Sequence, residues 1–333
     1  MKHITIKDIA RHLSLSVSTV SRALINDKNI RQETKERVLE TAKMLGYKPN
    51  PVATNLKYGH TNTVGIIVPE MLTPFASQVI SGIQSVLYAN GIKVIIAESD
   101  EDPNKERENL QTMERFMVDG IIICLCSYKE NLDQYIRLQQ AEMPMVFYDR
   151  IPYGMNVSQV IVDDYIKAFF LVEHLIREGY RHIVHLQGPD DVYNSVLVKF
   201  NIPFDKDRML KAGLTFKDGA NAADMLIEKG VSFDAIFAFT DTLAIGAMNR
   251  LRDLGKKIPE EIAIASFSGT VLSTIVYPQL TTVEPPLQQM GKVVAELIIE
   301  KIKEPLSPNR SIVLDAEIKL RASSKKEKDS KGK

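Results

Sequence analysis

The first 24 residues place apolar side chains at helical spacing. Four of them recur at i, i+3, i+4 and i+7: Ile6, Ile9, Ala10 and Leu13. This spacing puts them on one face of a helix. Thr5 and Asp8 have the spacing of a capping box, so the helix is predicted to start near Ile6.

A second short helix follows the polar turn Ser14-Leu15-Ser16, with Ser16 as its cap. Its buried side is predicted to comprise Val17, Val20, Ala23 and Leu24. Its outward residues are then Ser18, Thr19, Ser21 and Arg22. Small hydroxyls beside an arginine suit the major groove of DNA, so the pattern favours a helix-turn-helix. An ordinary helical hairpin would give the same stripes, and these 20 residues alone leave that alternative open.

A third helix is predicted from Gln32 to a C-terminal cap at Gly46. Its inward side is expected to hold Val38, Leu39, Ala42 and Leu45. Three short helices make a small headpiece. Residues 48–57 then form a linker with prolines and a weak helix of one to two turns, too short to be stable alone.

From residue 61 onwards, short apolar runs alternate with amphipathic segments. The predicted strands are 63–68, 93–98, 120–126, 145–148, 160–162, 183–187, 210–214, 235–238 and 262–267. The predicted helices between them are 75–90, 104–118, 130–141, 165–178, 219–229 and 242–254. Such alternation predicts an α/β protein with doubly wound parallel sheets in two units. In these folds the ligand lies beyond the carboxyl ends of the strands.

Charge is unevenly placed along the chain. Residues 1–60 hold 11 Lys and Arg against 5 Asp and Glu, a net charge of +6, and the remaining residues carry −6. The basic end contains the predicted helix-turn-helix, and its charge would attract phosphates whatever the DNA sequence.

Other features narrow the class of protein. No apolar run is long enough for a membrane helix, and the start MKHITIKD lacks the apolar core of a signal peptide, so we expect a cytoplasmic protein. The two cysteines, Cys124 and Cys126, are expected to be buried on one strand without a disulfide or a metal. The chain lacks a dinucleotide fingerprint, a phosphate loop and a nucleophile elbow, which argues against an enzyme and a cofactor.

Two runs carry a resemblance to a known family: TIKDIAxxLxxSxSTVSRAL and ETKERVxxxAxxLGYxPNxxA. They resemble the LacI/GalR family of bacterial transcription repressors, and the likeness extends over nearly the whole chain. It implies a DNA-binding headpiece at 1–48, a hinge helix and linker at 49–60, and a two-lobed sensor like a periplasmic binding protein at 61–322. Residues 323–333 are highly charged and expected to be a disordered tail.

The resemblance implies a homodimer, or a higher oligomer, on a pseudo-palindromic operator of double-stranded DNA. We expect Val17, Ser18 and Arg22 to read bases and Thr5, Ser16, Thr19 and Ser21 to contact phosphates. In the hinge we expect Asn50, Ala53 and Leu56 to contact DNA, with Leu56 as a wedge in the minor groove. A small effector, expected to be a sugar or sugar derivative, would change the operator affinity of a repressor of a catabolic operon.

The expected effector contacts lie in loops at the strand ends: Phe75, Asp149, Asp163, Asn194, Phe216, Thr240, Asp241 and Ser268. Aromatic rings and polar groups together suit a saccharide site. Plainer roles stay open, since Asp241 could cap the helix at 242 and Asp149 could pair with Arg150. Most family members have an acidic residue at Ser268, and many have Asn at Thr240, which favours a ligand with fewer donors.

The chain departs from the family between Ser195 and Pro203, where relatives carry a helix of the pattern ArgxxGlyTyrxxAla. Its loss predicts exposed apolar strand surface and a weakened or altered pocket. A DNA-binding repressor that no longer senses an effector is therefore an alternative. A solute-binding protein is a more remote one.

Overall fold

A computed structural model describes residues 4–47, 60–187 and 205–325 of the 333-residue chain. It divides into two compact units, Met1–Thr61 and Asn62–Lys333. The hinge residues Asn50, Ala53 and Leu56, the segment expected to lack a helix, and the tail from 326 onwards lie outside the described residues.

The first unit contains three helices: α1 (Ile6–Leu13), α2 (Val17–Leu24) and α3 (Gln32–Leu45). At the start of α1, Oδ2 of Asp8 accepts hydrogen bonds from the Thr5 amide at 2.9 Å and the Thr5 hydroxyl at 2.7 Å. Oγ of Ser16 accepts the amide of Thr19 at 3.0 Å and caps α2. The helix-turn-helix is therefore confirmed.

The headpiece core contains side chains from all three helices: Ile9, Ala10, Val20, Ala23, Val38 and Ala42. Two assignments to this core were wrong. Leu39 is 52% exposed because it lies about 100° round the helix from Val38, away from the face shared by Val38, Ala42 and Leu45. Val17, at the first position of α2, is 42% exposed.

In the second unit, a first sheet of six parallel strands has the order β11-β5-β4-β3-β1-β2. Its strands are β1 (Thr63–Val68), β2 (Lys93–Glu98), β3 (Gly120–Ile123), β4 (Met145–Tyr148), β5 (Ser158–Val162) and β11 (Ser311–Leu314). Its helices are α4 (Pro74–Ala89), α5 (Pro103–Arg115), α6 (Leu132–Gln140) and α11 (Leu287–Lys303). We call this sheet and its helices the first lobe.

The second lobe is built on a sheet of the order β12-β10-β9-β8-β6-β7, in which only the edge strand β12 is antiparallel among the described pairs. Its strands are β6 (Ile183–Gln187), β7 (Met209–Lys211), β8 (Ala235–Ala238), β9 (Ala263–Phe267), β10 (Thr281–Glu284) and β12 (Glu317–Lys319). Its helices are α7 (Asp164–Arg177), α8 (Phe216–Glu228), α9 (Asp241–Asp253) and the short α10 (Leu272–Ile275).

The chain passes between the lobes three times in the described residues: after β5, between β10 and α11, and between β11 and β12. The predicted doubly wound α/β fold is thus confirmed. The strand predicted at 120–126 ends at Ile123, so both cysteines follow it; they are nevertheless free and buried, as expected.

Two further expectations were wrong. Ile183 and Phe237, on strands β6 and β8, are each only 3% exposed, and Phe237 stacks with His185 at a ring-centroid distance of 4.9 Å. The apolar surface of these strands is therefore covered. The tail cannot begin at Ser323, because its side chain is buried and donates to the Ile264 carbonyl at 2.6 Å.

Candidate functional site

A cavity lies between the two lobes, where the carboxyl ends of their strands meet. From the first lobe it is lined by the segments after β1, β3 and β4, which supply Glu70, Cys124 and Asp149. From the second lobe it is lined by the segments after β8 and β9, which supply Thr240 and Ser268. Parallel strands therefore bring distant parts of the sequence to one place.

Aromatic rings form a large part of the walls of the cavity. Among the residues that the structure describes, seven aromatic side chains line it: Phe75, Tyr128, Tyr148, Tyr165, Phe237, Phe239 and Phe267. Aromatic and apolar walls combined with a smaller number of polar groups are typical of small-molecule sites.

Asp149 lies at the end of β4 with a left-handed backbone, at a φ of 59°. The Cys124 thiol approaches its carboxylate, with Sγ 3.7 Å from Oδ2. Burial raises the pKa of Asp149, and the nearby Arg150 opposes that shift only in part. Ionised Asp149 is thus held at a free-energy cost beside the cavity.

Arg150 forms its ion pair with Glu101 and not with Asp149. Its two terminal nitrogens donate to the Glu101 carboxylate at 2.7 and 2.9 Å, and one of them also donates to the Leu125 carbonyl at 3.2 Å. The alternative pairing of Asp149 with Arg150 is therefore wrong: the guanidinium is in a bidentate ion pair with Glu101.

Thr240 and Ser268 also carry structural hydrogen bonds. Oγ1 of Thr240 accepts the Leu243 amide at 3.2 Å and caps α9. Oγ of Ser268 accepts the Asp241 amide at 3.0 Å. Their side chains line the cavity while fixing the start of α9.

Asp241 is fully buried and does not line the cavity. Its carboxylate accepts four hydrogen bonds, from the Ser266 hydroxyl at 2.6 Å, the Thr282 hydroxyl at 2.8 Å, and the Thr270 amide and hydroxyl at 2.6 and 2.8 Å. The simple helix cap weighed for Asp241 is wrong, because Thr240 is the cap. Asp241 instead ties α9 to β9, β10 and the loop between them.

Two other expected contacts do not line the cavity, and a third is not among the described residues. Asp163 caps α7 by accepting the Ile166 amide at 3.0 Å, and the next residue, Asp164, lines the cavity. Phe216 starts α8, is 46% exposed, and is not among the lining residues. Asn194 lies outside the described residues. Phe75, Asp149, Thr240 and Ser268 are brought together.

The sequence reasoning missed most of the aromatic lining, yet a signal was present. At three strand ends the residue before an expected polar contact is aromatic and lines the cavity: Tyr148, Phe239 and Phe267. His185 was missed as well; its Nδ1 lies 2.9 Å from the Phe237 carbonyl.

No cluster of three or more potential metal ligands occurs within residues 4–47, 60–187 and 205–325. Across the same ranges, no helix is both long and apolar enough to cross a membrane.

A second candidate site is the outer face of α2. Ser18 and Arg22 are exposed, and Val17 is 42% exposed beside them. The Ser16 hydroxyl contacts those of Ser18 and Thr19, each at 2.8 Å, while it caps the helix. This face presents hydroxyls, a methyl surface and a guanidinium, the groups that contact phosphates and base edges.

Both units match families of known proteins. Residues 5–50 match the bacterial regulatory proteins of the lacI family, and residues 61–323 match the periplasmic binding proteins and sugar binding domain of the LacI family. The chain belongs to the LacI family. It is a DNA-binding transcriptional regulator, and the more remote expectation of a solute-binding protein does not account for residues 5–50.

LacI-family relatives match along nearly their whole length. The ribose operon repressor of Halalkalibacterium halodurans is 31% identical, with 92% of this chain and 93% of the relative covered. Catabolite control protein A of Priestia megaterium is 30% identical, with 97% and 100% covered. These relatives are regulators of transcription, in agreement with the expectation of a non-enzyme.

The fold also matches solved structures. A lac repressor dimer bound to operator and the anti-inducer ONPF superposes with a TM-score of 0.81, at 20% identity, over 98% of this chain and 100% of that one. At this identity the likeness concerns the fold alone.

Proposed function

We propose that this LacI-family chain represses transcription as a homodimer on a pseudo-palindromic operator, and that a small molecule in the cavity changes its operator affinity. One observation carries the proposal: the same chain holds an exposed α2 face in a unit rich in basic residues and a ligand-sized cavity between two lobes. Reading DNA would place the protein in the cytoplasm.

On the DNA side, we assign base contacts to Val17, Ser18 and Arg22. Phosphate contacts are assigned to Thr5, Ser16, Thr19 and Ser21. The exposure of Val17 favours contact with a thymine methyl group. Contacts by Asn50, Ala53 and Leu56 remain part of the proposal on the ground of the family resemblance alone.

An exposed apolar patch supports the dimer. Val271, Ile275 and Tyr277 are 64%, 71% and 79% exposed, and they lie on or beside α10. Apolar side chains grouped on a surface are typical of a protein interface. A two-fold dimer would present two copies of α2 to two half-sites.

The ligand class follows from relatives and from the cavity. Related proteins include a ribose operon repressor and a structure described as a CelR–cellobiose complex. We therefore propose a sugar or sugar derivative, with Phe75, Asp149, Thr240 and Ser268 as contacts. Only the family resemblance supports effector contacts by Asp163, Asn194, Phe216 and Asp241. The hydrogen bonds of Asp241 are those of a structural residue.

The DNA test starts from operators selected from random duplexes with the full chain. Arg22→Ala is expected to weaken binding to the selected operator by about 1–3 kcal/mol and to affect a scrambled duplex much less. Equal losses on both duplexes would contradict base reading by Arg22.

The effector test measures thermal unfolding and operator affinity with a panel of sugars and sugar phosphates. A ligand at 100 times its dissociation constant stabilises the folded state by about 2.7 kcal/mol. A stabilising compound that also changes operator affinity supports the proposal. Operator binding that no compound alters would favour the alternative, a repressor without sensing.

A further inference from the structure

The charges around the cavity are unbalanced. Among the described residues, three carboxylates line it, those of Glu70, Asp149 and Asp164, against one guanidinium, that of Arg150. The formal charge of the lining is therefore negative in the part of the chain that the structure describes.

Arg150 offsets this imbalance only in part, because its charge is already matched by Glu101. Its side chain is 9% exposed and forms a bidentate ion pair with Glu101, which does not line the cavity. It also donates to the Leu125 carbonyl. The guanidinium is thus held by the protein in an ion pair with Glu101, and it opposes the raised pKa of Asp149 only in part.

Asp149 has fewer hydrogen-bond donors than Glu70. Glu70 accepts the amide and the hydroxyl of Thr73 at 2.8 and 2.6 Å. Within the described ranges, the Asp149 carboxylate accepts only the weak thiol donor of Cys124, at 3.7 Å, and forms no ion pair. A partly buried carboxylate with so few protein partners is costly unless a cation or several donors reach it.

The walls around Asp149 add a second attraction for positive charge. The faces of aromatic rings attract cations, and a carboxylate among several rings is the arrangement that holds ammonium groups. Tyr148 precedes Asp149 in the chain, and Phe75, Tyr128, Phe237 and Phe267 line the same cavity.

We propose that the effector carries a positive charge, as an amine or quaternary ammonium group that sits among the aromatic rings with Asp149 as its counter-ion. The inference rests on the proposed function, because it assigns the chemical class of the ligand in the same cavity. A neutral sugar would donate hydrogen bonds to Asp149 but leave its charge unmatched. An amino sugar combines this charge with the ligand class of the relatives.

The test compares two probes of one shape on the full chain. Choline carries a trimethylammonium group, and its neutral isostere carries a tert-butyl group in the same place. Titration calorimetry is expected to show choline binding about tenfold more tightly than the isostere. Asp149→Asn is expected to remove that preference, whereas Asp253→Asn, an exposed acid at the end of α9, is expected to keep it.

Three results would each overturn the inference. They are equal affinities for the two probes, no binding of choline at millimolar concentration, and a preference for choline that survives in Asp149→Asn. The sugar panel distinguishes failure of this inference from failure of the proposed function. If a neutral sugar alters operator affinity and choline does not bind, the proposed function is supported and only the positive charge of the ligand is refuted. Glucosamine and glucose, which differ by one amine, extend the comparison to sugars.

Discussion

Gly82 of α4 and Gly291 of α11 face each other where the two helices cross in the first lobe. A Cβ atom added to Gly291 would lie 2.1 Å from the Val79 carbonyl oxygen and 3.0 Å from Cα of Gly82. A Cβ atom on Gly82 would lie 2.3 Å from the Gln288 carbonyl oxygen. The helix backbones are therefore in contact, and neither position has room for a side chain.

We expect Gly291→Ala to destabilise the protein by about 1–3 kcal/mol, because the methyl group would force two helix backbones apart. The intrinsic helix preference of alanine over glycine acts in the opposite direction, by about 1 kcal/mol. Urea unfolding would measure the balance. The control is Gln289→Ala on the exposed side of α11, expected to change stability by less than about 0.5 kcal/mol. A Gly291→Ala protein as stable as the control would show that the helices can separate at little cost.

The parts of the fold that the sequence predicted are those with strong apolar periodicity. Strands β1, β2, β4, β6 and β8 begin and end where expected, because each is a short apolar run between turns. The strands β10, β11 and β12 were missed. β11 alternates exposed and half-buried residues at a sheet edge, so its pattern lacks a continuous apolar run.

The site was predicted less completely, for a different reason. Loop residues after strands could be placed near the cavity by topology, as Asp149 and Ser268 were. Which polar groups face a ligand depends on hydrogen bonds across long separations. Asp241 and Thr282, whose side chains are bonded at 2.8 Å, are 41 residues apart, and no local pattern indicates that pair.

Asp241→Asn is expected to destabilise the protein by about 2 kcal/mol or more. The side-chain NH2 group of asparagine is a donor, and it would face some of the four groups that now donate hydrogen bonds to the Asp241 carboxylate. Asp253→Asn, at the exposed end of the same helix, is the control. Effector affinity of the folded variant distinguishes the roles: a large loss of affinity with unchanged stability would restore Asp241 as a direct ligand contact.

Ile275→Asp is expected to dissociate the proposed dimer, because an acidic residue would lose the apolar contact and carry charge into the interface. Sedimentation at several protein concentrations would detect the monomer, and operator affinity should fall with it. Leu306→Asp replaces an apolar residue that is 85% exposed on the first lobe, and it should remain a dimer. If both variants stay dimeric, the interface does not include α10.

Asp149→Asn should raise the stability of the ligand-free protein at neutral pH. Burial raises the pKa of Asp149 above its ordinary value of 3.8, so the folded state binds this proton more tightly than the unfolded state. The contribution of Asp149 to the free energy of unfolding therefore falls as the pH rises from the pKa of the unfolded state to the raised pKa of the folded state. Above the folded-state pKa the loss is complete. Asparagine removes the ionisation and tolerates the left-handed backbone at a φ of 59°.

The variant and the parent should accordingly converge as the pH falls below about 3, where Asp149 is protonated in both states. Urea midpoints followed by the fluorescence of the 11 tyrosines would give the difference at each pH, since the chain has no tryptophan. A variant less stable than the parent at neutral pH would mean that the carboxylate has a stabilising partner. Saturating choline should narrow or reverse the difference, because a bound cation favours the ionised form that only the parent possesses.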